Sequence, residues 1–306
     1  MREFDTDMEP MVQETENTDR FSDKRCSYEQ IYYTMWEAAQ RYGQIAQFRV
    51  IGKSHDDRMI PMLEIGKGEE ILYCVSGLGG TDRQMPACLT EMIGEYLRAW
   101  ECGWKIEEIY DLRELLDQWR LFFIPVANPD GYEICEKGFS VIRNPIYRQM
   151  LRMQEIPHEE YFCNARGMDL RKNFPTAYYR KLRVGQQPAS ENETKALVHI
   201  FQESPGRGLL SFSQTGRRIL YFRQPQSFAA NQRSYRLARH LQRQSGFAVE
   251  KFSLDANRGD LSPSGGSPER FYAELCRQPS FRIELPAAHP CRQLHTLPLE
   301  YLFSLY

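Results

Sequence analysis

Nowhere does the sequence approach the roughly 18 uninterrupted apolar residues that a membrane-spanning helix requires, so no membrane partner is expected. It has almost no net charge. Its 39 basic and 41 acidic side chains leave a formal −2, too little to steer the whole molecule toward nucleic acid or an anionic surface. It also has no C-x-x-C pair. The eight cysteines (Cys26, Cys74, Cys88, Cys102, Cys135, Cys163, Cys276 and Cys291) are scattered singly, which excludes a zinc knuckle and a dithiol redox motif. They read mostly as small buried hydrophobes of a reducing compartment. The N-terminus, MREFDTDMEPMVQETENTD, agrees: it is acidic and lacks the basic-then-apolar layout of a secretory signal. A cytoplasmic protein is the expectation.

What the chain does have is ordinary globular material, 42% hydrophobic and 26% charged over 306 residues, enough for a large core. Residues 1–26 are polar and acidic without periodicity and predict a flexible tail ahead of one domain spanning 27–306. No internal repeat or linker divides that domain. Ser27 is placed to cap a helix through YEQIYYTMWEAAQRY. Strand-like runs follow at 45–51, 59–65 and 70–76, the last nearly all apolar, as in a strand covered on both faces. Helical patterns at 83–100 and 105–118 precede a second buried strand, LFFIPVA at 121–127. Beyond a loop-rich middle, Ser190 and Glu193 predict a capping box for a helix at 190–203. Strands at 208–213, 218–222, 247–253 and 281–285 then alternate with helices at 229–244 and 268–277. The fold class is α/β: a mixed, largely parallel central sheet with helices on both faces.

Few residues advertise chemistry by themselves. None of the six histidines (His55, His158, His199, His240, His289, His295) stands at H-x-x-H spacing, and they read as structural or solvated. His289 is the exception, since five residues after Glu284 it can join Asp82 and Glu284 in a relocated metal site. The turn Gly77-Leu78-Gly79-Gly80-Thr81-Asp82 joins a buried strand to a helix, where phosphate binds well. Yet Asp82 stands at the third glycine's place and repels phosphate, and no G-K-[ST] follows. Ser213 lacks a G-x-S-x-G elbow and so makes a poor nucleophile. Arg233, Arg236, Arg239 and Arg243 recur at helical spacing, as a solvated face or as a dock for an acidic partner such as the chain's own tail.

Read in order, five segments carry more. They are Ile51-Gly52-Lys53-Ser54 with Asp57-Arg58, Asn128-Pro129-Asp130-Gly131-Tyr132, Gly167 to Pro175 (GMDLRKNFP), Ser190-Glu191-Asn192-Glu193-Thr194, and Phe281-Arg282-Ile283-Glu284-Leu285. Their order and spacing resemble the zinc carboxypeptidases, nearest the bacterial members that cut peptidoglycan peptides. The resemblance implies that family's fold and metal-assisted hydrolysis. There an H-x-x-E pair and a later histidine hold zinc, which lowers the pKa of bound water toward about 7, and a glutamate takes its proton. An arginine stabilises the oxyanion, and an Asn-Arg pair grips the substrate's terminal carboxylate.

Carried onto this chain, the pattern departs where the metal belongs. The H-x-x-E positions fall on Gly79 and Asp82, and the later histidine on Ser213. Glu284 keeps the general base. Arg143, fifteen residues past Asn128, keeps the oxyanion arginine. The carboxylate clamp becomes Arg171-Lys172, positive but without the forked arginine at its usual place. The family's flexible tyrosine falls on Leu261. Without metal, Glu284 faces water of pKa about 15.7 instead of about 7, a penalty on the order of 12 kcal/mol. The expectation is a metal-free pseudopeptidase with no cofactor, whose former cleft binds a peptide or small carboxylate through Arg143, Arg171 and Lys172. The alternative is an active metallocarboxypeptidase or peptidoglycan-peptide hydrolase with an altered metal site.

Overall fold

The computed structural model describes residues 26–177, 179, 186–221, 227–251, 266–286 and 291–305; the acidic tail, Leu261 and His289 lie outside them. Ser27 opens the first helix as expected. Its hydroxyl accepts from Gln30 N, and the Gln30 side chain accepts from Ser27 N at 2.7 Å, a closed capping box on α1 (Tyr28–Arg41). Strands β1 (Ala46–Lys53), β2 (Met59–Ile65) and β3 (Glu70–Ser76) lead to α2 (Met85–Cys102). The run expected as one helix from 105 is instead a small hairpin, β4 (Lys105–Ile106) and β5 (Tyr110–Asp111), followed by α3 (Leu112–Gln118). The break is local: the Asp111 carboxylate accepts from Arg113 N and Glu114 N and starts the helix there.

After β6 (Trp119–Ile124) the middle of the chain holds more helix than its loop-like composition suggests. Asn128 caps α4 (Pro129–Lys137) and Asn144 caps α5 (Pro145–Arg152), each with proline at the helix start. Helix α6 (Asn192–Glu203) follows, but the expected capping box is absent. Its N-cap is Glu191, and Ser190 instead donates to Glu191 Oε1 at 2.7 Å. The remainder alternates: β7 (Gly208–Ser213), β8 (Arg218–Tyr221), α7 (Phe228–Ser245), β9 (Ala248–Lys251), α8 (Pro268–Cys276), β10 (Ser280–Glu284) and α9 (Thr296–Phe303).

Eight strands form one sheet in the order β1-β2-β6-β3-β7-β10-β8-β9. The central four, β6-β3-β7-β10, run parallel, and antiparallel pairings of β2 with β6 and of β8 with β10 flank them. This is the mixed α/β sheet expected. Alternate residues of each strand serve opposite layers. Leu72, Cys74, Phe123, Leu210, Phe281 and Ile283 pack with α1, α2, α7 and α9, whereas Ile71, Tyr73, Phe122 and Leu209 pack with α6 and α8. Burial of both faces explains why ILYCVS and LFFI are continuously apolar.

The expectation for the cysteines fails at two positions. Cys88 of α2 is disulfide-bonded to Cys291, 203 residues away, which ties the C-terminal segment to the helix layer. By chain entropy a loop of that length stabilises the fold by about 5 kcal/mol. Urea unfolding with and without reductant, repeated on Cys291→Ser, should show a loss of that order. A midpoint unchanged by reductant, with eight free thiols by titration, would contradict the bridge.

Candidate functional site

Register places three residues of the sequence pattern side by side. Glu284, last of β10, lies opposite Ser213, last of β7, on one side and Arg218, first of β8, on the other. Two residues earlier, Arg282 lies between Ser211 and Leu220. Because Phe281 and Ile283 enter the layer of α1, α2, α7 and α9, Arg282 and Glu284 project from the opposite face. The row thus sits at the carboxyl ends of parallel strands, where α/β sheets gather ligands.

Every acidic group of this row has a partner. Arg218 Nε donates to Glu284 Oε2 at 2.6 Å, and Arg218 Nη1 to Glu250 Oε2 at 3.1 Å. One layer deeper, Arg282 grips both oxygens of Glu269 at 2.9 and 3.0 Å, and the Ser211 hydroxyl donates to the same carboxylate. Burial alone would push the Glu269 carboxyl up. The charge and hydrogen bonds of Arg282 outweigh that and hold it below the ordinary range.

Asp82 closes the site from the β3–α2 turn. Its Oδ2 accepts from Gly79 N at 3.1 Å and its Oδ1 from Gln214 N at 2.9 Å, so one carboxylate joins the turn to the loop after Ser213. Gln214 and Gln84 exchange two further hydrogen bonds across the same gap. Burial pushes the Asp82 carboxyl up, against the two N–H groups and the charges of Arg171 and Arg282. A Cβ on Gly80 would enter the space of the Gly131 and Tyr161 carbonyl oxygens, which is why the turn needs glycine there.

The cations of the pattern are committed to different degrees. Arg171 donates to both oxygens of Asp169 at 2.9 and 3.2 Å and lies 4.9 Å over the Phe162 ring. Lys172 reaches the same aspartate at 3.5 Å, leaving two cations on one anion. Burial raises the Asp169 pKa, but these two charges outweigh it and hold the carboxyl low. Arg143 is different. Its backbone N–H is fixed by both oxygens of Asp56 at 2.9 and 2.8 Å, while its exposed guanidinium has no partner among the described residues.

The same Asp56 belongs to a buried network that joins the other motif segments. Arg58 donates to Asp56 at 2.7 Å, to Asp130 at 2.9 Å and to the Val141 carbonyl at 2.8 Å, and the Ser54 hydroxyl donates to Asp130 at 2.7 Å. Beside it, Asn164 Nδ2 donates to Glu191 at 2.8 Å and to Glu193 at 3.3 Å, and His55 Nε2 lies 3.2 Å from Glu191. The Glu191 carboxyl is driven down to about 2: burial opposes this, but His55, Asn164, Ser190 and the Arg166 charge prevail. Burial and the neighbouring Asp130 push Glu193 the other way, to about 7.

A family model described as zinc carboxypeptidase matches residues 31–299. The chain belongs to the zinc carboxypeptidase family. Metallocarboxypeptidase A of Trichophyton rubrum is 26% identical over 204 residues, 62% of this chain and 44% of that protein. An uncharacterized protein, YqgT, of Bacillus subtilis is 28% identical over 122 residues, 35% of this chain and 32% of its own. The matched region thus spans less than half of either relative. Among solved structures, bovine thrombin-activatable fibrinolysis inhibitor in complex with a tick carboxypeptidase inhibitor superposes with a TM-score of 0.72 at 15% identity, covering 93% of this chain and 98% of that one. A Pseudomonas aeruginosa metallo-carboxypeptidase in complex with (2-guanidinoethylmercapto)succinic acid gives 0.60 at 14%, covering 92% and 68%.

At the positions that the sequence resemblance assigns to the metal, the donor set does not fit zinc. Gly79 offers no side-chain atom, both oxygens of Asp82 already accept backbone N–H groups, and Ser213 Oγ lies 3.3 Å from Thr215 Oγ1. A guanidinium, not an open position, adjoins Glu284. Arg282 lies between two buried apolar residues, Phe281 and Ile283, and a charge placed there calls for a partner. Sequence alone does not point to Arg218, Glu250 or Glu269: strand pairing brings the first two to the site, and packing of α8 on the sheet brings the third.

The Arg282–Glu269 pair yields a pH-dependent expectation. A carboxyl held below its unfolded value stabilises the fold above the ordinary carboxylate range and loses that contribution as pH falls. Arg282→Met leaves Glu269 buried alone and should cost about 3–5 kcal/mol at pH 7. As pH falls below the ordinary carboxylate range the contribution of the pair is lost from the parent protein and the deficit should shrink. Urea titrations of both proteins at pH 7 and pH 4 check this; a deficit that grows in acid would refute it.

Proposed function

We propose that this zinc carboxypeptidase family member is a metal-free pseudopeptidase whose cleft binds carboxylate-bearing ligands, peptides first among them. The observation that carries this reading is the pairing pattern. The groups that would hold metal or activate water are closed onto the protein itself, through Asp82 with Gly79 and Gln214, and Glu284 with Arg218. Positive charge is left over: Arg143 is positioned through its backbone by Asp56 with its side chain free, and Arg171 and Lys172 share one aspartate. Such cations suit a carboxylate through charge-assisted hydrogen bonds. A family neighbour, the Pseudomonas protein, is named with a succinic acid derivative as its ligand, which is the same chemistry.

A second reading, an active peptidase with an altered metal site, is favoured by one cluster. His55, Glu191 and Glu193 bring donor atoms within 4.8 Å of one another. Against it, Asn164 Nδ2 already serves both carboxylates, and Asn192 N donates to His55 Nε2 at 3.3 Å, a contact metal would have to displace.

Elemental analysis after dialysis against zinc separates the two. The pseudopeptidase reading expects no stoichiometric metal. One zinc per chain that is lost in His55→Ala would establish the second. Calorimetry then tests binding directly. A peptide with a free C-terminal carboxylate should bind at least about tenfold tighter than its amide, and Arg143→Ala should remove most of that difference. Equal affinity for acid and amide would sink the proposal.

A further inference from the structure

Arg218 is the least expected side chain at this site, and its bonding is incomplete. Its Nε holds Glu284, a residue whose side chain is only 4% exposed, while its Nη1 holds Glu250, whose side chain is 49% exposed. The Arg218 side chain is 28% exposed, and its Nη2 has no partner among the described residues. One edge is therefore fixed to the sheet, and the rest faces solvent through a loosely held carboxylate. Gly216 keeps this pair uncovered, since a Cβ there would lie 3.0 Å from Glu284 Oε2 and 3.6 Å from Arg218 Nε.

From this arrangement we infer that Arg218 is a ligand-binding residue that takes a second carboxylate, and that Glu250 occupies that place in the free protein. The ligand class is then a peptide ending in aspartate or glutamate, with the acidic side chain displacing Glu250 from Arg218. This rests on the reading of the cleft as a carboxylate site and names its preference. Three features support it. Glu284 anchors the fork, so little freedom is lost when a ligand arrives. Glu250 lies on the edge strand β9 and is half in water, so an exposed ion pair of small net value is exchanged for another of the same geometry. The fork offers Nη1 and Nη2 together, which a carboxylate engages with two parallel hydrogen bonds.

The test is calorimetry on the full chain with two otherwise identical peptides, one ending in Glu and one in Gln, each with a free terminal carboxylate. The Glu peptide should bind about tenfold tighter. Glu250→Gln removes the competitor while leaving the Arg218–Glu284 pair in place, and should widen that ratio. Arg218→Gln, made together with Glu284→Gln so that no charge is stranded, should bring the ratio to about one. A purely structural Arg218 gives no widening with Glu250→Gln, and that result overturns the inference. If both peptides bind equally and better than their amides, the preference for an acidic residue falls and the carboxylate cleft stands. If neither free carboxylate matters, both fall together.

Discussion

A largely buried guanidinium sets the terms for the rest of this structure. Arg58 is 7% exposed, and its donors are divided among Asp56, Asp130 and the Val141 carbonyl. Those acceptors come from separate stretches of chain, and removing one partner of such a buried pair costs about 3–5 kcal/mol. The hairpin after β1, the start of α4 and the loop bearing Arg143 are therefore held in one arrangement. Asp56 uses its remaining capacity on Arg143 N and Asn144 N, so the backbone position of Arg143 follows from this buried network.

The carboxylates around Glu284 obey the same electrostatic rule. Buried carboxylates need compensation by metal, proton, hydrogen bond or cation. Here Glu284 has Arg218, Glu269 has Arg282 and the Ser211 hydroxyl, and Asp82 has two backbone N–H groups with Arg171 and Arg282 close enough to favour its charge. Arg218 and Arg282 stand along the strand row between the carboxylates they serve, a geometry that stabilises the charged form of each.

How much of this could be read from sequence follows from the range of each interaction. Local signals sufficed for Ser27 and the apolar strands, because capping and periodicity involve neighbours along the chain. They misled at Ser190 and Glu193, where the capping pattern is present but Ser190 is drawn off by Glu191 and by an N–H of Asn173 at 3.0 Å. Motif order identified Gly79, Asp82, Ser213 and Glu284 as a set, and β7–β10 register places the last two side by side. Arg218 could not be found that way. Its role depends on an antiparallel neighbour 66 residues later, and nothing in LYF or TGRR marks the pairing. The Cys88–Cys291 bridge was invisible for the same reason.

Residues 79, 82 and 213 are coupled, which bears on how changes toward zinc ligands would act under the proposed reading. Restoring histidine at position 79 alone would bring a Cβ to 3.3 Å from Asp82 Oδ2, whose acceptance from the same residue's N–H holds the turn. Lengthening Asp82 to glutamate would draw its oxygens from Gly79 N and Gln214 N and leave buried donors unpaired, at about 1–3 kcal/mol each. Histidine at 213 would still face a Glu284 neutralised by Arg218 on its far side. Each single reversal therefore disrupts an interaction the present site relies on before it supplies a ligand. On the proposed reading, a zinc site at these positions would need all three changes with Arg218 removed, because the present pairings already satisfy the buried carboxylates.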